Sequence, residues 1–135
     1  MSNDRYSIVS ISFFGDKLPV EDMEKMTGIK TRYSGLKGTH IKGDPRLAKH
    51  KTNVWSSIMF TSSKQGGLTK NIQKIINRMI KNKAKLKKLL KTKGIYGTIY
   101  ISLEMSVLQG AEIIPVSQLK ILSDLNIRLD LDITS

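Results

Sequence analysis

The sequence contains no cysteine, which excludes a disulfide framework, a thiolate nucleophile and a cysteine-based zinc site. No apolar run approaches the roughly eighteen residues of a membrane span, and residues 1–5 are too polar for a cleaved signal. A soluble, cytoplasmic chain is expected. Also missing are His-Glu-x-x-His, the phosphate-cradling Gly-x4-Gly-Lys-Ser/Thr loop and the nucleophile elbow, so no enzymatic activity, cofactor or metal is predicted. Acidic residues are scarce, 11 against 23 Lys and Arg, for a net charge of +12. What is present is 135 residues with 39% hydrophobic and 25% charged side chains. That is enough apolar material for one core, and a single domain over residues 1–135 is expected.

The excess charge sits in two segments. Residues 68–94 hold ten basic residues and no acid, and residues 30–51 hold seven basic residues with Asp44 alone opposing them. The rest of the chain, with six basic and ten acidic residues, is net negative. Such asymmetry reports on partners more than on fold.

Residues 6–14 mix β-branched and aromatic residues with regularly placed serines and stop at Gly15-Asp16, the pattern of a strand with one solvated face. Pro19, with Glu21 and Asp22 behind it, opens a short helix that Gly28 closes. Residues 30–53 are rich in glycine and lysine and predict a loop, with a short strand possible at 31–36 and little apolar surface to order the rest. Residues 54–61 read as a strand and 62–67 as a turn. Residues 95–105 alternate, with Ile99, Ile101 and Leu103 on one face and Tyr96, Thr98, Tyr100, Ser102 and Glu104 on the other. Residues 106–114 are irregular. Pro115 starts a helix to residue 125, and residues 127–133 form the most regular strand of the chain.

The longest element is a helix over residues 68–92. At 100° per residue, Ile75, Ile76, Met79, Leu86 and Leu90 fall within about 60° of Ile72. Lys70, Lys74, Arg78, Lys81, Lys85 and Lys88 occupy the opposite side within a stripe of roughly 80°. Lys83 projects near the centre of the apolar face, which predicts a kink there or a snorkelling side chain. The order β-α-(β)-β-α-β-α-β predicts an α+β fold: a mostly antiparallel sheet of four to five strands with two or three helices packed on one face.

Several of these features carry a resemblance. The first strand ends in Gly15-Asp16 with Leu18 and an acidic short helix, followed by a Lys/Gly-rich loop and Val54-Trp55-Ser56. A long helix of the form L-x-x-x-I-x-x-I-I comes next, then P-x-x-Q-L-K-x-L-x-D-L-x-I-x-L-D-x-D-I. Over nearly its whole length the chain resembles the bacterial domain of unknown function 4279 family. The most specific matches are Trp55-Ser56 and residues 119–133. The chain departs from the family in its lysine content and in lacking a proline near Lys30 or Thr31. The resemblance implies architecture and supplies no activity.

Two candidate chemical sites have weaker support than their structural alternatives. His40, Asp44 and His50 have a spacing that could bring three ligands together, but neighbouring cations repel a metal ion, and histidines in a basic loop are more often bystanders. Asp130 and Asp132 share one strand face with Arg128 and could form an acid/base pair, although the solvated face of an edge strand explains them as well. Trp55 is expected in the core or at its rim.

The lysine stripe is the most informative feature. It extends over about 27 Å at 1.5 Å per residue. The expected function is therefore that of a non-catalytic protein-binding module that neutralises a partner, such as an immunity protein against a bacterial toxin or an inhibitor of a defence system. An acidic protein partner would meet Lys70, Lys74, Arg78, Lys81, Lys85 and Lys88, joined by Lys37, Lys42 and Arg46. The alternative is sequence-nonspecific nucleic-acid binding by the same lysines, which the lack of interleaved aromatics and of any helix-turn-helix, RRM or zinc-finger signature disfavours. A purely solvated face is the third reading. No membrane partner and no small-molecule cofactor is expected.

Overall fold

The computed structural model describes residues 5–105 and 112–134, and a six-stranded sheet with helices on one face runs through them. The strands are β1 (Arg5–Gly15), β2 (Thr31–Gly35), β3 (Asn53–Ser57), β4 (Phe60–Ser62), β5 (Tyr96–Met105) and β6 (Ile127–Thr134). The helices are α1 (Met23–Thr27), α2 (Gly67–Met79), α3 (Lys83–Leu90) and α4 (Val116–Asp124). The sheet order is β2-β3-β1-β5-β6, and β4 pairs with β1 beyond β3. All pairings are antiparallel except β5 with β6. The α+β class and the predicted order hold, with one strand more than the upper expectation.

The parallel pair follows from the connection between its strands. Between β5 and β6 the chain passes through α4, and a helical crossover returns it running in the same direction, as a tight hairpin could not. The irregular stretch expected at residues 106–114 lies largely outside the described residues. On β1 the alternation does the sorting: Val9, Ile11 and Phe13 are fully buried against the helices, while Ser10 and Ser12 point to the other face, where they are buried too and not solvated as expected. Across the ladder Val9 meets Ile101, Ile11 meets Ile99 and Phe13 meets Gly97. A Cβ at Gly97 would lie 2.8 Å from the Phe13 ring, so only glycine lets that ring settle on the strand. Trp55 is fully buried beside Phe13, and its indole N–H donates to the Thr31 hydroxyl at 2.7 Å. The single polar atom of the indole is thereby satisfied.

Three sequence expectations need correction. The helix predicted over 68–92 is two helices, separated by a 3-10 turn at Ile80–Asn82. Lys83 is the reason legible in hindsight: on an uninterrupted helix its ammonium would enter the core, whereas after the turn it stands half-exposed and meets the Asp124 carboxylate of α4 at 3.6 Å. Second, the strand predicted at 54–61 breaks at residues 58–59 into β3 and β4. Near the break the Ser57 hydroxyl accepts the Ile11 N–H at 3.0 Å, replacing a ladder bond that the interruption would remove. Third, the stretch between Gly35 and Asn53 is not a slack loop. Gly38 donates to the His50 carbonyl, His50 to Thr39 and Ile41 to Ala48, so the excursion closes on itself as an irregular hairpin.

Candidate functional site

The buried side of the helical layer determines what the exposed side offers. Leu68, Ile72, Ile75, Ile76 and Met79 of α2, with Leu86 and Leu90 of α3, are buried against the sheet. Full burial of each such side chain stabilises the fold by roughly 1.5–3 kcal/mol. The helices are therefore held by their apolar stripe and not by their lysines. Their orientation is pinned further along α4. The Gln118 amide donates to the Thr69 carbonyl at 2.9 Å and to Gln73 Oε1 at 3.1 Å, and the Thr69 hydroxyl donates to the Ile113 carbonyl. At the start of α2 the Glu112 carboxylate accepts the Gly66 N–H at 3.0 Å, placing a negative charge where the helix dipole favours it.

Lys70, Lys74, Arg78, Lys81, Lys85 and Lys88 all stand exposed on the outer side of α2, the intervening turn and α3. Among the described residues, Lys70, Lys74, Lys81, Lys85 and Lys88 have no ion-pair or side-chain hydrogen-bond partner. Arg78 spends one guanidinium N–H on the Gly28 carbonyl at 3.3 Å and keeps the rest of its fork free. This is a band of uncompensated positive charge on a rigid support, although the turn at 80–82 makes it two short segments and not one straight rod.

Three of the four cations of the 36–50 excursion, Lys37, Lys42 and Arg46, are placed differently. Lys37 reaches Asp16 at 2.9 Å, and Arg46 forks onto Asp44 through Nη2 at 2.9 Å and Nε at 3.1 Å. The ammonium of Lys37, helped by Thr52, holds the Asp16 carboxyl below its ordinary value. The Arg46 guanidinium does the same for Asp44 and is itself raised in return. Lys42 is exposed, with its backbone N–H donating to the Tyr33 hydroxyl at 3.1 Å. No hydrogen bond or ion pair among the described residues joins these three to the helical cations, so the structure does not assemble all nine into one site by direct contact.

The histidines take separate partners. His40 donates from Nδ1 to the Leu47 carbonyl at 2.8 Å, while His50 Nε2 lies 2.5 Å from the Tyr33 hydroxyl. The Tyr33 hydroxyl thus joins the Lys42 backbone and the His50 ring at one point. The ring of His50 rests on Gly35, where a Cβ would come within 2.3 Å of it. No group of three His, Asp or Glu side chains among the described residues could hold a metal ion. Asp130 accepts the Thr98 hydroxyl at 2.7 Å and Asp132 the Tyr100 hydroxyl at 3.1 Å, so each carboxylate is tied to β5 and not to the other.

Sequence reasoning missed the solvent-facing row of the sheet. Phe14 and Tyr96 stack at 5.0 Å, and the Arg128 guanidinium lies 4.4 Å from the Tyr96 ring centre, giving an aromatic–cation row across β1, β5 and β6. Alternation put Tyr96 and Arg128 on polar faces, but nothing local announced that the two strands are neighbours. No helix among the described residues is long and apolar enough to cross a membrane. No curated protein and no solved structure matches the chain. The sheet with its one-sided helical layer, the buried Trp55 and the α4–β6 ending lie within a match over residues 4–135, and the chain belongs to the family described as Domain of unknown function (DUF4279).

Proposed function

We propose that this chain is a non-catalytic protein-binding module that neutralises an acidic partner protein, in the manner of an immunity protein for a bacterial toxin or an inhibitor of a defence system. The observation that carries the reading is the set of exposed, unpaired lysines on α2 and α3, Lys70, Lys74, Lys81, Lys85 and Lys88, with Arg78 among them. A charged band on a rigid helical face raises the encounter rate with an acidic surface and rejects basic ones. Lys42 extends the same chemistry at a second position, whereas Lys37 and Arg46 must first give up their intramolecular acids.

A second reading, nonspecific nucleic-acid binding, is favoured by the length of the band. Five of its six cations are lysines, and lysine contacts phosphate as a point charge without reading bases. The experiment uses the wild type and a Lys74→Glu, Lys81→Glu, Lys85→Glu variant, each titrated with the protein encoded beside this gene and with a duplex DNA of fixed length. Loss of the protein complex in a folded variant, with weak salt dependence seated in the association rate, supports the proposal. A wild-type DNA affinity falling with log salt at about −0.9 per phosphate contact, and a shallower slope in the variant, would replace it with the second reading. Equal binding of both proteins to everything tested leaves the lysines a solvated face and sinks both.

A further inference from the structure

The two edges of the sheet are treated in opposite ways. An unpaired strand edge is a template for pairing with another chain, and soluble proteins blunt it with short strands, bulges, charges or a covering loop. The β2 edge has all four: it is five residues long, its register shifts between Thr31 and Tyr33, it exposes Arg32, and the 36–50 excursion closes on it through Tyr33 and His50. The β6 edge has no bulge and no covering loop among the described residues, and its exposed charges, Arg128, Asp130 and Asp132, are of both signs. It runs eight residues in unbroken register with β5, contains neither lysine nor proline, and nothing among the described residues pairs with its outer side. On the helix side of the sheet it exposes Leu131 at 58% and Ile133 at 63%. Exposed Val116 and Leu119 of α4 add apolar surface to that side.

We propose that β6 pairs edge to edge, antiparallel, with β6 of a second copy of this chain, forming one continuous sheet across a two-fold axis. The charge pattern of the strand favours itself as the partner. With the axis at residue 130, Ile127 faces Ile133 and Leu129 faces Leu131 on the helix side, twice over, so every apolar side chain of the strand gains an apolar neighbour. On the opposite face Arg128 of each copy stands across from Asp132 of the other, giving two complementary pairs. Asp130, already held by the Thr98 hydroxyl, meets its like-charged counterpart at the axis, a single repulsive contact set against the two Arg128–Asp132 pairs. The axis is perpendicular to the sheet, so the helical layers of both copies lie on the same side. Self-pairing at β6 uses none of the cations of α2 and α3 and stands apart from the partner reading above.

The absence of cysteine makes the register directly testable. Directly opposed residues of an antiparallel pair have Cα atoms about 4.5–5.5 Å apart, within disulfide reach. Asp130→Cys should therefore cross-link two copies under mild oxidation. Sedimentation equilibrium of the wild type over rising concentration should show the mass climbing from 15.2 kDa towards twice that value. Leu131→Lys should hold it at one chain over the same range with an unchanged circular dichroism spectrum, because the side chain is exposed in the single chain. Arg128→Glu and Asp132→Arg should each weaken association by about tenfold, and the double swap should restore it. A wild-type mass of one chain throughout overturns the proposal, as does a dimer indifferent to Leu131→Lys. A dimer abolished by Leu131→Lys in which Asp130→Cys fails to cross-link overturns the register.

Discussion

The helices α2 and α3 and the 36–50 excursion are both cationic in sequence, yet they offer different things to a partner. In the excursion Lys37 and Arg46 are engaged with Asp16 and Asp44, and the backbone closes on itself. On the helices the lysines of the outer band have no such neighbours among the described residues, Lys83 on the inner side being the one that reaches an acid, Asp124, and the buried face is wholly apolar apart from Asn71. The contrast shows that a count of positive residues is not a measure of available charge. A lysine held by a carboxylate has already made its contact, and an incoming acid must displace it.

The most disruptive way to test this contrast is from beneath. Ile72→Ala removes a fully buried side chain under the cationic band, and a loss of about 2–5 kcal/mol is expected in urea denaturation. The excursion should keep its own hydrogen bonds until the global transition. Gly35→Val is next, because the new side chain collides with the His50 ring. A cost of about 1–3 kcal/mol, with the 36–50 amides losing exchange protection first, would show that the excursion is anchored at that contact. Replacing His50 by alanine should cost only about 0.5–1.5 kcal/mol, the net worth of one hydrogen bond to Tyr33, and should leave α2 and α3 unaffected.

Smallest in stability is the triple reversal of Lys74, Lys81 and Lys85 to glutamate, expected to move the unfolding midpoint by no more than about 0.5 kcal/mol while abolishing partner binding. The pH dependence separates the regions further. Asp16 and Asp44 have folded values lowered from 3.8, mainly by Lys37 and Arg46, and Glu24 is lowered from 4.5, mainly by the Thr31 N–H. A carboxyl with a depressed folded value adds stability that is complete above its unfolded value and disappears as pH falls through the folded one. The excursion should thus be unchanged by these groups between pH 5 and 8, taken as about one unit above the carboxylate range. It should loosen only in stronger acid, where carboxyl chemical shifts and the exchange rate of the Arg46 amide would report it. The lysine band, with no carboxylate to lose, should remain as it was.

Much of the frame was legible because it rests on local periodicity. The alternation in β5 told which residues face the core, and Ile99, Ile101 and Leu103 are buried as that pattern requires, whereas on the same face of β6 Ile127 is buried but Leu131 and Ile133 are exposed. The exposed side of α2 and α3 was legible for the same reason, with a 3.6-residue repeat dividing Ile72, Ile75 and Met79 from Lys70, Lys74 and Arg78. Lys83 also registered as a conflict. Its resolution was out of reach, since it depends on Asp124, which lies some forty residues away and reaches it only when α4 packs beside α3.

Composition and periodicity by themselves determined the α+β class, the amphipathic helices and the position of the charge, because each depends on residues a few places apart. Only the tertiary structure decided which cations are spent and which are free, that β5 and β6 run parallel, and that one sheet edge is covered and the other open. Those are relations between distant segments: Asp16 with Lys37, Tyr33 with His50, Arg128 with Tyr96. They arise when burial of the common core brings the segments together, and no local pattern encodes them.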